Sequence, residues 1–387
     1  MSLLLLIVGL VLFIGLVVVH EFGHFIMARR NGVEVEEFGI FFPPRLYKHV
    51  TKQGWLFTIN LLPLGGFVKM KGEHDSDSDR GSFGAASLGA KTKILFAGVF
   101  MNLITALILF TILAAIGIPK LLPNQYTVKQ DTQLISQRVI IGYVEPGSPA
   151  QKAGLKPRDE ITAISLPGYS PVTVTSSTTL PSITKNFAGK NTIVYYIRNG
   201  QQEETRVKFL SLQTVTASDK TSNPKGYLGI SPEEITLQRS TWSAPIVAVG
   251  LSGQITALTF EGLGHALGGL GSLIAGGVTG NSVARQHGQT TASSQVSGPV
   301  GIFEVLQAGS ALGFQYVLFI IAIISLSLAI MNILPIPALD GGRAWIMLFT
   351  RLIKRPLSAK KEETISAVGF IVLIALVILV TIADVQR

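Results

Sequence analysis

LLLLIVGLVLFIGLVVVHEFGH, residues 3–24, is a run of apolar side chains that closes on two histidines and a glutamate. A hydrocarbon core of about 30 Å takes roughly 20 apolar residues as helix, and Leu3 to Val19 carries no charge. The stretch therefore reads as a membrane span. It has neither a basic leader nor a small-x-small cleavage site, which favours a retained helix over a secretory signal. His20 and His24 stand four apart, on one helical face, with Glu21 beside them. At 1.5 Å per residue, His20 lies about 25 Å from Leu3, still within the bilayer. Ionisable groups at that depth are costly unless they pair or bind an ion. His-Glu-x-x-His is the spacing by which a helix presents two zinc ligands and a general base.

The whole chain agrees with a lipid setting. Of 387 residues, 48% are hydrophobic and only 14% charged, which excludes a disordered tail protein; the net charge of +9, crowded into a few loops, does not describe a nucleic-acid binder. With no cysteine, any metal must sit on His, Asp or Glu. Further spans are expected over Ile94–Ile118, about Tyr316–Leu334 and Ile365–Ala383. Arg29, Arg30, Arg45, Lys48, Lys52, Lys69, Lys71, Arg80, Lys91 and Lys93 place the first connection in the cytoplasm, and Arg343, Arg351, Lys354, Arg355, Lys360 and Lys361 do the same for the last. Both termini are then extracytoplasmic. Trp242 to Phe260 is long enough to span, but a fifth crossing would put Asp340 on the wrong side. Its Val247, Leu251, Ile255 and Leu258 face suits a helix lying in the interface.

The expected fold is a polytopic α-helical membrane protein with four transmembrane helices. Its segments are 1–29 (first span), 30–92 (cytoplasmic loop), 93–119 (second span), 120–240 (extracytoplasmic domain) and 241–312 (interfacial segment and linker). They continue with 313–345 (third span), 346–364 (cytoplasmic loop) and 365–387 (fourth span). No internal repeat supports an inverted-repeat transporter. In the cytoplasmic loop, Val33–Phe42 and Trp55–Met70 are β-prone, punctuated by Gly39, Pro43, Pro44, Gly65 and Gly66, and read as a membrane-associated hairpin or sheet. Glu73, Asp75, Asp77 and Asp79 read as a solvated loop tip, and Thr173–Thr184 as a loop or insertion.

Two histidines leave a catalytic zinc one protein ligand short. Near the end of the third span comes Asn332-Ile-Leu-Pro335-Ile-Pro337-Ala-Leu-Asp340-Gly-Gly, where two prolines break the helix before an acid. Asp340 falls on the same side as the histidines and is the candidate third ligand; alone, it reads equally as a turn acid at an Asp-Gly-Gly stop.

These motifs, in this order, resemble the bacterial site-2 protease family of intramembrane zinc metalloproteases over almost the whole chain. The resemblance implies Zn2+ held by His20, His24 and Asp340, Glu21 as general base and acid, and Asn332 as a polar helper near the substrate carbonyl. Asn332 reads otherwise as a polar tie between helices. It also implies an extracytoplasmic PDZ-like α+β domain, carried by Ile141-Gly-Tyr-Val-Glu-Pro-Gly-Ser-Pro-Ala-Gln-Lys-Ala-Gly-Leu155 and Pro157-Arg158-Asp159, with Gly226–Ile230 as a further strand or peptide-carboxylate loop. Such a domain binds peptide C-termini or excludes bulky ectodomains. The β-run becomes the family's membrane-associated β-loop, with Gly39, Gly65 and Gly66 near substrate, although Phe41 stands where the family usually has a glycine. The function implied is cleavage of transmembrane segments in the bacterial inner membrane, of anti-sigma factors or remnant signal peptides, with the active site toward the cytoplasm. The partners are transmembrane substrates and the bilayer. The rival readings are a non-catalytic zinc-binding scaffold, and a large-chamber zinc protease whose third ligand would be Glu or His.

Overall fold

A computed structural model of the chain describes residues 2–219, 221–222, 224–279, 281, 283, 298–354 and 357–385. Gly280, Arg355 and most of 282–297, within the expected 241–312 and 346–364 segments, lie outside the described residues, as do Gln386 and Arg387. Two compact units result, one of residues 1–116, 125–128 and 242–387, the other of 117–124 and 129–241.

The larger unit is built on helices α1 (Ser2–Arg30), α2 (Leu88–Leu95), α3 (Ala97–Ile116), α7 (Ala244–Thr279), α8 (Pro299–Leu312), α9 (Phe314–Ile333), α10 (Asp340–Leu352) and α11 (Ala359–Val385). Among the described residues, α1, α3, Ala244–Leu273 of α7 and α9 are long and apolar enough to cross a membrane. Their outer faces are greasy: Leu3 is 69% and Val11 62% exposed, surface that water would penalise and lipid does not. In the charge-free part of α11, Val368, Phe370 and Ile371 are exposed in the same way. α3 and α9 pack antiparallel, since Phe110 meets Phe319 edge-on at 5.7 Å and Ser325 Oγ donates to the Asn102 carbonyl at 2.8 Å. Gly9 lets α1 close on Val317 and Leu306, within a core that also holds Leu16 and Ile321.

The segment expected to lie in the interface forms, with the residues after it, one continuous 36-residue helix, α7, with a rise of about 54 Å. Val247, Ala248, Leu251 and Ile255 are buried, and Ala244 and Val247 cluster with Ala114 at the end of α3. Glu261 lies within this helix, with His265 facing it one turn on at 3.8 Å. α7 begins beside the end of α3, and α8 ends one glycine before α9 begins. Because α3 and α9 are antiparallel, those two points lie at the same end of the bundle.

Strands β1 (Val35–Val50) and β2 (Leu56–Met70) form the expected sheet. Both bend, and the Pro43-Pro44 pair marks the bend of β1 rather than its end. The register yields four antiparallel rungs in the order 66–70, 35–40, 56–60, 45–50. Phe25 anchors the sheet to α1, at 5.5 Å from Phe38 and 4.8 Å from Trp55.

The loop after β2 corrects another expectation, because the acidic run is not simply a solvated tip. Lys91 of α2 is fully buried and pairs with Asp75, which also accepts from Arg351 of α10 at 3.2 Å. Burial favours the neutral form of Asp75, but bonds from Lys91 and Arg351 outweigh it and hold the carboxyl below its usual pKa. A depressed carboxyl contributes stability that is present above about pH 4 and is lost as pH falls through the lowered value. Asp75→Asn leaves a buried ammonium without its counter-charge, at a cost of about 3–5 kcal/mol. Thermal unfolding of the purified chain in detergent should show a clear loss at neutral pH, with less further loss in acid than the parent shows; identical melting curves would refute the pairing.

The smaller unit contains β3 (Ile118–Pro119), β4 (Gln133–Val144), β5 (Glu160–Ser165), β6 (Val172–Thr173), β7 (Asn191–Arg198), β8 (Gln201–Lys208) and β9 (Ile230–Arg239). They pair in the order β3-β9-β4-β5-β7-β8, with β6 on β5. Short helices α4 (Pro149–Lys152), α5 (Leu180–Asn186) and α6 (Leu212–Ser218) complete it, so part of the Ser/Thr-rich stretch is helical. Val139, Ile141, Leu155, Ile161, Ile164, Val194 and Phe209 form its core. Asp159, in the expected turn, is buried and takes a two-pronged bond from Arg198 at 2.6 and 2.8 Å.

Candidate metal centre

α1 carries His20 and His24 on its buried face, and their Nε2 atoms lie 3.2 Å apart. Asp340 Oδ2 arrives from α10 at 3.0 Å from the first and 3.1 Å from the second. Two atoms bound tetrahedrally at about 2.05 Å from a zinc ion would stand about 3.3 Å apart, so this spacing fits a shared ion closely. The donor chemistry fits too. His24 Nδ1 donates to the Ile94 carbonyl at 2.8 Å, which leaves Nε2 of the neutral ring as a lone pair facing a carboxylate oxygen. Lone pairs brought this close ask for a cation between them. Among the described residues, His20, His24 and Asp340 are the trio that could hold a metal ion.

Asp340 reaches this point because α9 stops at Ile333 and, after six intervening residues, α10 starts on the acid itself. Pro335 and Pro337 remove two donors, and Ala338 adopts a left-handed φ of 77°. Gly341 and Gly342 press against the backbone of Asn332–Pro337, where a Cβ would collide. Gly369 of α11 packs on Pro337 and backs the turn. The expected third span is thus two helices with the carboxylate at the joint.

Glu21 turns toward the sheet. The Val68 backbone N–H faces its carboxylate, and Gly66 lies so near that a Cβ would sit 3.1 Å from Glu21 Cγ. Gly66 belongs to the outer rung 66–70, whose far side pairs with no other strand among the described residues. Gly39 does not have that freedom: it pairs with Phe67 on one side and Thr58 on the other, and packs beneath the Phe67 ring. A strand added near the site would run along Gly66, not Gly39. Gly65 sits against the Phe42 ring at a φ of 157°. Phe41 has a φ of 68°, so the backbone keeps a glycine-like conformation under an aromatic side chain. Asn332 donates back to the Leu328 carbonyl of its own helix at 3.0 Å.

α2 and α3 supply partners that hydropathy alone does not reveal. Beside the Ile94 carbonyl, Asn102 lies 3.2 Å from His20 Nδ1, and Gly98 forms a floor directly under both imidazoles. The available signal was an asparagine four residues from a glycine inside an otherwise apolar span.

A helical membrane protein that gathers two imidazoles and a carboxylate about one point, with a second carboxylate alongside, has the construction of a membrane metallohydrolase. The chain belongs to peptidase family M50, whose model matches residues 8–376. A putative zinc metalloprotease of Clostridium acetobutylicum is 31% identical over 100% of this chain and 98% of its own. The zinc metalloprotease RasP of Shouchella clausii is 26% identical over 97% of each, and a probable protease, eep, of Enterococcus faecalis is 26% identical over 96% of each.

Proposed function

We propose that the chain is a zinc-dependent endopeptidase of the bacterial inner membrane that cleaves transmembrane segments of other proteins. The observation that carries this reading is the meeting of His20, His24 and Asp340 within 3.2 Å of one another, beside Glu21. Zinc on those three atoms would supply Lewis acidity, polarising a peptide carbonyl and bringing the pKa of water to about 7. Glu21 takes the proton of the attacking water and passes it to the leaving amine. Asn332, with one amide proton committed to Leu328, has a second to offer the developing oxyanion.

A substrate helix must unwind before its carbonyl is open to attack, and its freed backbone groups then need partners. The unpaired side of rung 66–70, at the flank of Glu21, meets that need by strand addition. Basic residues in the first and last connections support a cytoplasmic position for the site. The β-rich unit of 117–124 and 129–241 is read as PDZ-like, inserted in sequence between α3 and α7, where it excludes bulky ectodomains or holds peptide C-termini. The substrate class includes anti-sigma factors and remnant signal peptides.

The test is cleavage of a single-span protein by the purified full chain in proteoliposomes. Cleavage should disappear on chelation and return with zinc. Turnover that persists after complete metal removal would reject the reading.

A further inference from the structure

Asn102 is fully buried in α3, and its side chain has one contact of consequence, from Nδ2 to His20 Nδ1 at 3.2 Å. Its Oδ1 is buried with no hydrogen-bond partner among the described residues. Rotating the amide by 180° exchanges the two ends, so each orientation goes with one tautomer of His20. With the NH2 toward the ring, His20 Nδ1 must be a lone pair and Nε2 carries the proton, directed at Asp340. With Oδ1 toward the ring, Nδ1–H donates, the orphaned oxygen gains its donor, and Nε2 is bare. Only the second form leaves His20 able to ligate.

We propose that Asn102 is the positioning residue of His20: its Oδ1 accepts the Nδ1 proton and keeps the Nε2 lone pair aimed at the point shared with His24 and Asp340. His24 has the equivalent support from the Ile94 carbonyl at 2.8 Å, so each imidazole is oriented by one acceptor from the α2–α3 side. The Asn102 backbone is tied to α9, because its main-chain carbonyl accepts from Ser325 Oγ at 2.8 Å. The inference rests on the metal-site reading above.

The experiment is cobalt titration of the purified metal-free chain in detergent, in competition with a chelating dye, with the visible cobalt spectrum and the metal-free unfolding temperature recorded alongside. Asn102→Leu, near in size and without an acceptor, should weaken cobalt binding about 10- to 100-fold and alter the spectrum, with the metal-free unfolding temperature held. Asn102→Asp keeps an acceptor at the same place and should bind close to the parent; it carries the test if the leucine variant does not fold. His20→Ala is the control for the site. If His20→Ala loses the metal while Asn102→Leu keeps it, the positioning role is wrong and the site stands. If Asn102→Asp falls as far as Asn102→Leu, the amide acts through its N–H and the assignment is overturned. If His20→Ala binds as the parent does, the metal-site reading fails and this inference with it.

Discussion

Glu21→Gln is expected to cut turnover by about 10²- to 10⁴-fold, some 3–5 kcal/mol of transition-state stabilisation, in a protein that still folds and still binds zinc. The substitution preserves shape, and the glutamine carbonyl can still accept from the Val68 N–H. The contact with Gly66 involves Glu21 Cγ, which is unchanged. None of the three atoms within 3.2 Å is touched. Zinc content and unfolding temperature should therefore match the parent, while cleavage of a membrane-embedded substrate falls to background. Equal cleavage by variant and parent would remove Glu21 from the chemistry; lost zinc would make it part of the metal's support. A scaffold that holds zinc only structurally predicts no dependence on this carboxylate at all.

Gly98→Ala tests the packing, and here two physical effects have opposite signs. Alanine is the better helix former by about 1 kcal/mol, so propensity alone predicts a small gain in stability. Packing predicts the reverse, since the new methyl would lie 2.6 Å from His20 Nδ1 and as near to His24 Nε2. Neither helix has slack to absorb it: a Cβ on Gly23 of α1 would already lie 2.6 Å from the Ala97 carbonyl of α3. Overpacking of this kind costs about 1–3 kcal/mol, which outweighs the propensity gain. The imidazoles are the softest groups in reach, so they should turn aside. Zinc affinity is expected to fall at least tenfold, about 1.4 kcal/mol, although no ligand has been altered. Chelator competition measures this directly; affinity within twofold of the parent would mean that α1 and α3 part more easily than their contacts indicate.

Much of the site was readable because its chemistry is expensive in lipid. Histidines and an acid inside an apolar run cannot be filler, and an acid after two prolines has backbone freedom to reach them, so His20, His24 and Asp340 stood out although more than three hundred positions separate them. The supporting groups were harder to see. The Ile94 carbonyl is a backbone atom that any residue would provide, and the value of Gly98 is the absence of a side chain. Lys91 looked like one more vote for a cytoplasmic loop, whereas its burial depends on Asp75 folding back from a run that resembled solvated tip. The reach of α7 was harder to read, because its amphipathic face shows over residues 247–258 alone, while the helix runs on through the Gly/Ala-rich residues beyond Glu261. Gly39 shows the limit of reading strands one at a time: a position that looks like an open edge becomes interior once a bent hairpin folds over it.

α7 starts beside the close of α3, and α8 ends one glycine before the start of α9, so the stretch enters and returns at one end of the bundle. Changes between the packed parts of α7 and α8 that leave both ends in place keep α9 antiparallel to α3, so the carboxylate joint is still delivered to its imidazoles.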